Sequence, residues 1–361
     1  MPDFFQRGPH PVGVATRELA DPGRNGRRIT VEVWYPADAA HAGADCAKAS
    51  QDEYPLFGGY RVRQEAVRDA SPWRDPRPRP CVLFSHGFAG HRRQSTFFTT
   101  HLASHGYLVI APDHAGNTMV DIMNLALSLG PGRMPSDPET LLGSYAFDRP
   151  RDVGLCIDAC SRGEFEVLAP VDLASGVAVT GHSFGGWTSL VVAGRDPRVR
   201  AVLAMAPAGG PGPLWALALE RELTFEFAPG VDTLYLAAAR DTLLPLTGIE
   251  QMFLRTPDPV RKFVLENADH MHFCDSVERS HEFFRSMPPL GPFAAVAKRT
   301  PPMSELVPGA LGHLFINGLG TAHLDAVLRG DPEGAEFLAN GVAQLAAQGV
   351  EAREVTREHR I

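Results

Sequence analysis

Short apolar runs recur along this chain with two kinds of spacing. Residues 28–35 (RITVEVWY) alternate apolar and polar positions, which predicts a half-exposed edge strand. Further on the runs become continuous: CVLF at 81–84, YLVIA at 107–111, VAVT at 177–180, AVLAMA at 201–206, TLYLAAA at 233–239 and KFVLE at 262–266. Continuous apolar strands are expected where both faces of a sheet are covered, as in parallel sheets flanked by helices. The segments between them carry helical spacing. STFFTTHLASHG (95–106) and FGGWTSLVVAG (184–194) are two such segments. RPRDVGLCIDAC (149–160) puts Val153, Cys156, Ile157 and Cys160 on one face, with Pro150 expected in its first turn. Residues 331–348 read as a closing amphipathic helix with Asp331 as its cap and Pro332 at its first turn.

Residues 36–80 are polar and rich in Pro and Arg, and read as loop. Three further stretches break the alternation: 112–148, 207–230 and 275–328. They read as insertions at the rim of the sheet that cap a pocket. The expectation is one α/β domain over residues 1–361, with a mostly parallel central sheet flanked by helices.

Composition narrows this picture. The 34 basic and 42 acidic residues leave a net charge of −8, which argues against a general affinity for nucleic acid or anionic membrane. No apolar run reaches the ~20 residues needed to span a bilayer. The 35 Gly and 31 Pro predict many turns within a folded chain. The start, MPDFFQRGPHPVGV, lacks the basic-then-apolar pattern of a secretory signal, so a cytoplasmic location is expected. The cysteines (Cys46, Cys81, Cys156, Cys160, Cys274) are odd in number and show no C-x-x-C, which disfavours a disulfide scaffold or a zinc site. Cys156 and Cys160 read as buried thiols. No metal or cofactor is expected.

The sharpest local signal is Gly181-His182-Ser183-Phe184-Gly185-Gly186, placed directly after one predicted strand and before a helix. Glycines there allow a tight strand-to-helix turn that projects the Ser183 hydroxyl, while the free N–H groups of the helix start favour negative charge. A serine hydroxyl at neutral pH needs a base, and the base needs an orienting acceptor. On this architecture the chain order is serine, acid, histidine. Asp241 ends the strand TLYLAAA, at the kind of edge where sheet active sites gather. After KFVLE come both His270 and His272, so the residue order leaves two candidate bases; Asp269 reads as a loop residue. A fourth element, Ser85-His86-Gly87-Phe88, follows the strand CVLF. Gly87 permits a turn that aims the Phe88 N–H into the pocket beside the Phe184 N–H, forming an oxyanion hole. His86 precedes the nucleophile and reads as a structural histidine pinning that loop. Trp187 and Trp215, with the Phe88 and Phe184 side chains, are candidates for an apolar acyl pocket.

Taken together, SHGF, GHSFGG, ARDTLLPL and LENADH resemble the α/β-hydrolase superfamily, and within it the platelet-activating-factor acetylhydrolase, dienelactone-hydrolase and cutinase-like esterases. The resemblance runs over roughly residues 28–270 with interruptions. It implies the α/β-hydrolase fold, with Ser183 as nucleophile, Asp241 as acid and His270, ahead of His272, as base. Two departures stand out. Acetylhydrolases of this type carry their acid after the preceding strand, where this chain reads AVLAMAPAGG without a carboxylate, and dienelactone hydrolases use a cysteine where this chain has Ser183. The resemblance implies a serine hydrolase acting on small-molecule or polymeric carboxylic esters. Amide, thioester or perhydrolase chemistry on the same groups, or a non-catalytic ligand-binding relative, are the alternatives.

Overall fold

A computed structural model of the chain describes residues 3–55, 59–130, 133–286 and 293–357. The strands are β1 (Val12–Asp21), β2 (Arg27–Pro36), β3 (Asp52–Pro55), β4 (Arg61–Gln64), β5 (Val67–Arg68), β6 (Arg79–Ser85), β7 (Leu108–Pro112), β8 (Val171–His182), β9 (Val199–Met205), β10 (Asp232–Ala238), β11 (Val260–Leu265) and β12 (Ala352–Glu354). Ten of them form one sheet in the order β12-β11-β10-β9-β8-β6-β7-β2-β1-β5, while β3 and β4 pair separately. The run from β11 through β7 is parallel. β2 joins it antiparallel to both β7 and β1, and β12 closes the other edge antiparallel to β11.

The continuous apolar runs have a direct cause. Alternate residues of β6 enter different cores: Cys81 and Leu83 pack on one face, Val82 and Phe84 on the other. The first face is covered by the helices Tyr145–Ser161, Phe184–Ala193 and Leu246–Arg255. The second is covered by Thr96–Ser104, Gly309–Leu328 and Pro332–Ala339. Fully burying a side chain such as Leu83 or Phe84 contributes about 1.5–3 kcal/mol, so a two-faced sheet gains at every position.

The structure differs from the sequence expectations in several places. β2 is interior, not an edge strand, and most of it is buried. Its polar residue Glu32 is fully buried because Arg68, Arg92 and Arg93 pair with it at 2.6, 2.8 and 3.0 Å. The stretch 36–80 contains the short strands β3, β4 and β5. The helix around Pro150 begins at Tyr145, so the proline lies inside it and removes the bond that would return to the Ala146 carbonyl. Residues 331–348 form two helices, Pro332–Ala339 and Gly341–Ala347, the first capped by Asp331 with Pro332 in its opening turn. Within 275–328, residues Gly309–Leu328 form a long helix laid against the sheet. Its glycines give close approach: a Cβ on Gly320 would sit 2.8 Å from the Phe98 ring.

Candidate active site

β8 ends in a turn that only small neighbours allow. Ser183 has φ 60° and ψ −119°, a strained region for a residue with a side chain, and it caps the helix Phe184–Ala193. A Cβ on Gly185 would lie 1.7 Å from the Ser85 carbonyl oxygen, and one on Gly181 would lie 2.4 Å from the same atom. Glycine on both sides of the serine therefore lets the helix start hard against the end of β6. The bend is fixed by backbone bonds: Ser183 N–H donates to the Met205 carbonyl, and its own carbonyl accepts from Ala208 and Trp187.

Asp241 follows β10 and His270 follows β11, neighbouring strands on the same side of β8. The His270 Nδ1 lies 2.6 Å from Asp241 Oδ2, and both side chains are buried. The other carboxylate oxygen accepts from the backbone N–H groups of Leu243 and Leu244 at 2.9 and 2.8 Å. With Nδ1 committed to the carboxylate, Nε2 is the free nitrogen of the ring. Ser183 and His270 border the same cavity, although the hydroxyl makes no hydrogen bond among the described residues.

His272 belongs to a different network. Its Nδ1 lies 2.9 Å from Asp269 Oδ1 and its Nε2 lies 2.9 Å from the Val307 carbonyl. Asp269 also caps the turn His270–Phe273 and makes an ion-pair contact of 2.5 Å, without hydrogen-bond alignment, to His281 Nδ1. Burial opposes the charged form of Asp269, but its close contacts with His272 and His281 hold its pKa below the ordinary carboxylate range. Asp269 and His272 thus anchor the loop that carries His270.

The loop after β6 is held by its own side chains. His86 Nδ1 lies 2.7 Å from the Gly87 carbonyl, and its Nε2 accepts from the His114 N–H at 3.1 Å. Gln94 accepts from the Gly87 N–H at 2.8 Å and its amide reaches His182 Nδ1 at 2.9 Å. Burial drives the pKa values of His86 and His182 well below that of a free imidazole, so both rings stay neutral. Among the described residues neither the Phe88 nor the Phe184 amide N–H has an acceptor. Both residues line the cavity that Ser183 also borders.

That cavity measures about 310 Å³ and is overwhelmingly apolar. Met119, Ile122 and Met123 of the helix Met119–Leu129 form part of its wall, together with Leu243, Leu244 and Phe293. The same helix leaves Val120 and Leu127 exposed, so it is apolar on more than one side. These wall residues come from stretches whose irregular spacing gave no signal beyond their apolar content. Trp187 and Trp215 are not in the wall. Trp187 is fully buried in the core, its indole N–H donating to the Leu219 carbonyl, and Trp215 is a partly exposed residue bonded to Glu220. Among the described residues no group of three or more His, Cys, Asp or Glu side chains is gathered as a metal site. Among the same residues no helix is long and apolar enough to cross a membrane.

Comparison with known proteins points the same way. Residues 29–122 match the family described as platelet-activating factor acetylhydrolase, isoform II. Cutinase est1 and cutinase est2 of Thermobifida alba are each 26% identical to this chain, over 199 and 198 residues. Those matches cover 54% of this chain and 54% and 53% of the two cutinases, so the chain spans about half the length of the curated relatives it matches. A structure of ferulic acid esterase from Streptomyces cinnamoneus superposes with a TM-score of 0.58 at 25% identity, covering 89% of this chain and 91% of the other. The parallel sheet flanked by helices, matched over most of its length by an esterase structure, gives this chain the α/β-hydrolase fold and relates it to the esterases.

Proposed function

We propose that this protein is a serine hydrolase that cleaves carboxylic esters through an acyl-enzyme intermediate. Ser183 attacks the acyl carbonyl while His270 Nε2 takes its proton. Asp241 keeps the other ring nitrogen protonated and stabilises the imidazolium that forms. The oxygen of the tetrahedral intermediate, now negative, is received by the amides of Phe88 and Phe184, an interaction in which one donor is typically worth ~3 kcal/mol. His270 then returns its proton to the leaving alcohol. Water repeats the attack on the acyl-enzyme, with His270 again as base, and releases the acid.

The observation that carries this reading is the buried 2.6 Å contact between His270 and Asp241 at the floor of a cavity that Ser183 shares. The apolar wall favours the uncharged acyl or alcohol part of an ester over an ionised group, which would lose hydration there without a partner. Its segments, drawn from 112–148, 207–230 and 275–328, act in this reading as the rim of one domain.

A fluorophosphonate probe tests the proposal, with the labelled peptide mapped by mass spectrometry. Label on Ser183, lost in Ser183→Ala and His270→Ala and accompanied by turnover of p-nitrophenyl butyrate, is the expected result. Label on Ser183 without ester turnover points to amide, thioester or perhydrolase chemistry. No label at all points to a ligand-binding protein.

A further inference from the structure

Behind the wall of the cavity lies a second line of polar groups that the proposed reaction does not use. His114 Nδ1 is 3.1 Å from Asp152 Oδ2, and His114 Nε2 is 2.8 Å from Ser85 Oγ. The order of groups imitates a nucleophile array, yet Asp152 and His114 are 0% exposed and Ser85 only 1%, so no substrate reaches them. Burial pushes the His114 pKa down to about 4. The ring is therefore neutral at pH 7, donating from Nδ1 to the Asp152 carboxylate and accepting at Nε2 from the Ser85 hydroxyl.

Arg149 completes this arrangement. Its guanidinium is 1% exposed and makes no ion pair among the described residues; neutral oxygens hold it instead. It donates to Ser85 Oγ at 3.2 Å, to the His86 carbonyl, to Asn117 Oδ1 and to Thr188 Oγ1 at 3.1 Å, and its carbon lies 4.5 Å from the centre of the Phe184 ring. Burial pulls its pKa down to about 9, which leaves it charged at neutral pH. Ser85 and His86 lead directly into Gly87 and Phe88, whereas Thr188 and Phe184 belong to the helix that starts at Ser183. One planar cation is thus fastened to both segments that carry the free amides.

We propose that Arg149, held by the buried Ser85–His114–Asp152 line, is a positioning residue that sets the separation of the Phe88 and Phe184 amides. The inference rests on the reading of those amides as the oxyanion hole. An oxyanion hole works by geometry fixed before the reaction, and a rigid guanidinium spreads donors over three nitrogens to reach both walls, whereas an ammonium gathers its three donors on one nitrogen at the end of a flexible stem. Arg149→Lys keeps the charge and removes the fork.

The test compares wild type with Arg149→Lys by steady-state hydrolysis of p-nitrophenyl butyrate, and by the affinity of a phenylboronic acid that forms a tetrahedral adduct on the nucleophile. Displacement of a donor by a fraction of an ångström to 1 Å lowers kcat on the order of 100-fold. KM should stay nearly constant and boronate affinity should fall in parallel with kcat. A purely structural role would lower the melting temperature and leave kcat per folded molecule unchanged. Should Arg149→Lys fail to fold, Thr188→Val cuts the tie to the helix alone, and its kcat and boronate affinity should fall together by a smaller factor. The inference is overturned if the folded variant keeps wild-type kcat, or loses kcat without losing boronate affinity. Fluorophosphonate labelling of wild-type Ser183 separates the two levels: its absence removes the hydrolase reading itself, whereas its presence beside an unaffected variant removes only the role of Arg149.

Discussion

Replacing Asp241 by asparagine exchanges one carboxylate oxygen for an amide group, and the surroundings dictate which one. Oδ1 accepts two backbone N–H groups, from Leu243 and Leu244, so the carbonyl oxygen of the new side chain must occupy that position. The opposite orientation would leave both buried N–H groups unsatisfied at about 1–3 kcal/mol each. The amide NH₂ therefore faces His270 Nδ1, where Oδ2 stood at 2.6 Å. Nδ1 has to become an acceptor, the ring proton moves to Nε2, and the nitrogen intended for the serine proton is already occupied. The expected loss in kcat/KM is about 10⁴-fold, as for a base held in the wrong tautomer. That corresponds to about 5 kcal/mol of activation free energy. Folding should be almost untouched, because every backbone bond of the turn survives; a melting temperature within about 3 °C of wild type is expected for a chain of this size. The assay is hydrolysis of p-nitrophenyl butyrate at pH 7.5, with calorimetry on the same samples. A properly folded Asp241→Asn protein within tenfold of wild-type kcat/KM would refute the tautomer argument and the assignment of His270 with it.

Other consequences can be checked separately. His272→Ala loses two buried partners, Asp269 and the Val307 carbonyl, and should cost about 2–4 kcal/mol in denaturant titration while each folded molecule keeps its ester turnover; His270→Ala should do the reverse. Gly185→Ala drives a methyl group to 1.7 Å from a backbone oxygen, so a loss of about 3 kcal/mol in unfolding free energy is expected in denaturant titration, and an unchanged midpoint would contradict the packing at the elbow. Contact with Asp269 raises the His281 pKa above its ordinary 6.5 despite the opposing effect of burial. Its stabilisation is then fully present below pH 6.5 and fades as pH climbs through the raised value. Denaturation of wild type and His281→Gln across pH 5.5–8.5 should show a smaller stability difference at the alkaline end, and a difference that grows with pH would disprove the linkage.

The parts of this fold that were legible in the sequence are those where apolar content alone decides the outcome. CVLF, AVLAMA and KFVLE mark β6, β9 and β11 because each apolar residue there meets a covered face. Reading failed where polar residues are paired inside. Glu32, flanked by valines, looked like the wet side of an edge strand, and only three arginines distant in the chain make its burial tolerable. Gly309–Leu328 was unreadable for a different reason: its glycines lower helix propensity, but they admit the Phe98 and Phe5 rings that make the helix stable in place. At the candidate site, Ser183 and Asp241 stand at strand ends that motif and order pick out, whereas order leaves His270 and His272 open and only the family resemblance puts His270 ahead. Arg149 and Gln94 are not picked out at all, since nothing local marks a side chain whose partners lie on other elements. Trp187 lies in the core and not in the cavity wall, and a large aromatic beside a G-x-S-x-G motif looks the same in sequence in either place.

The floor and the walls of the cavity come from different parts of the chain. Ser183, Asp241 and His270 hang on the ends of β8, β10 and β11, whose spacing is set by hydrogen-bonded neighbours in the sheet, while Met119, Ile122, Met123 and Phe293 sit on helices and turns outside it. Under the proposed function, selectivity and reactivity are consequently separable properties in this molecule. A lineage can remodel the ceiling, by lengthening a helix or trading methionine for a bulkier side chain, and inherit the machinery beneath it unaltered.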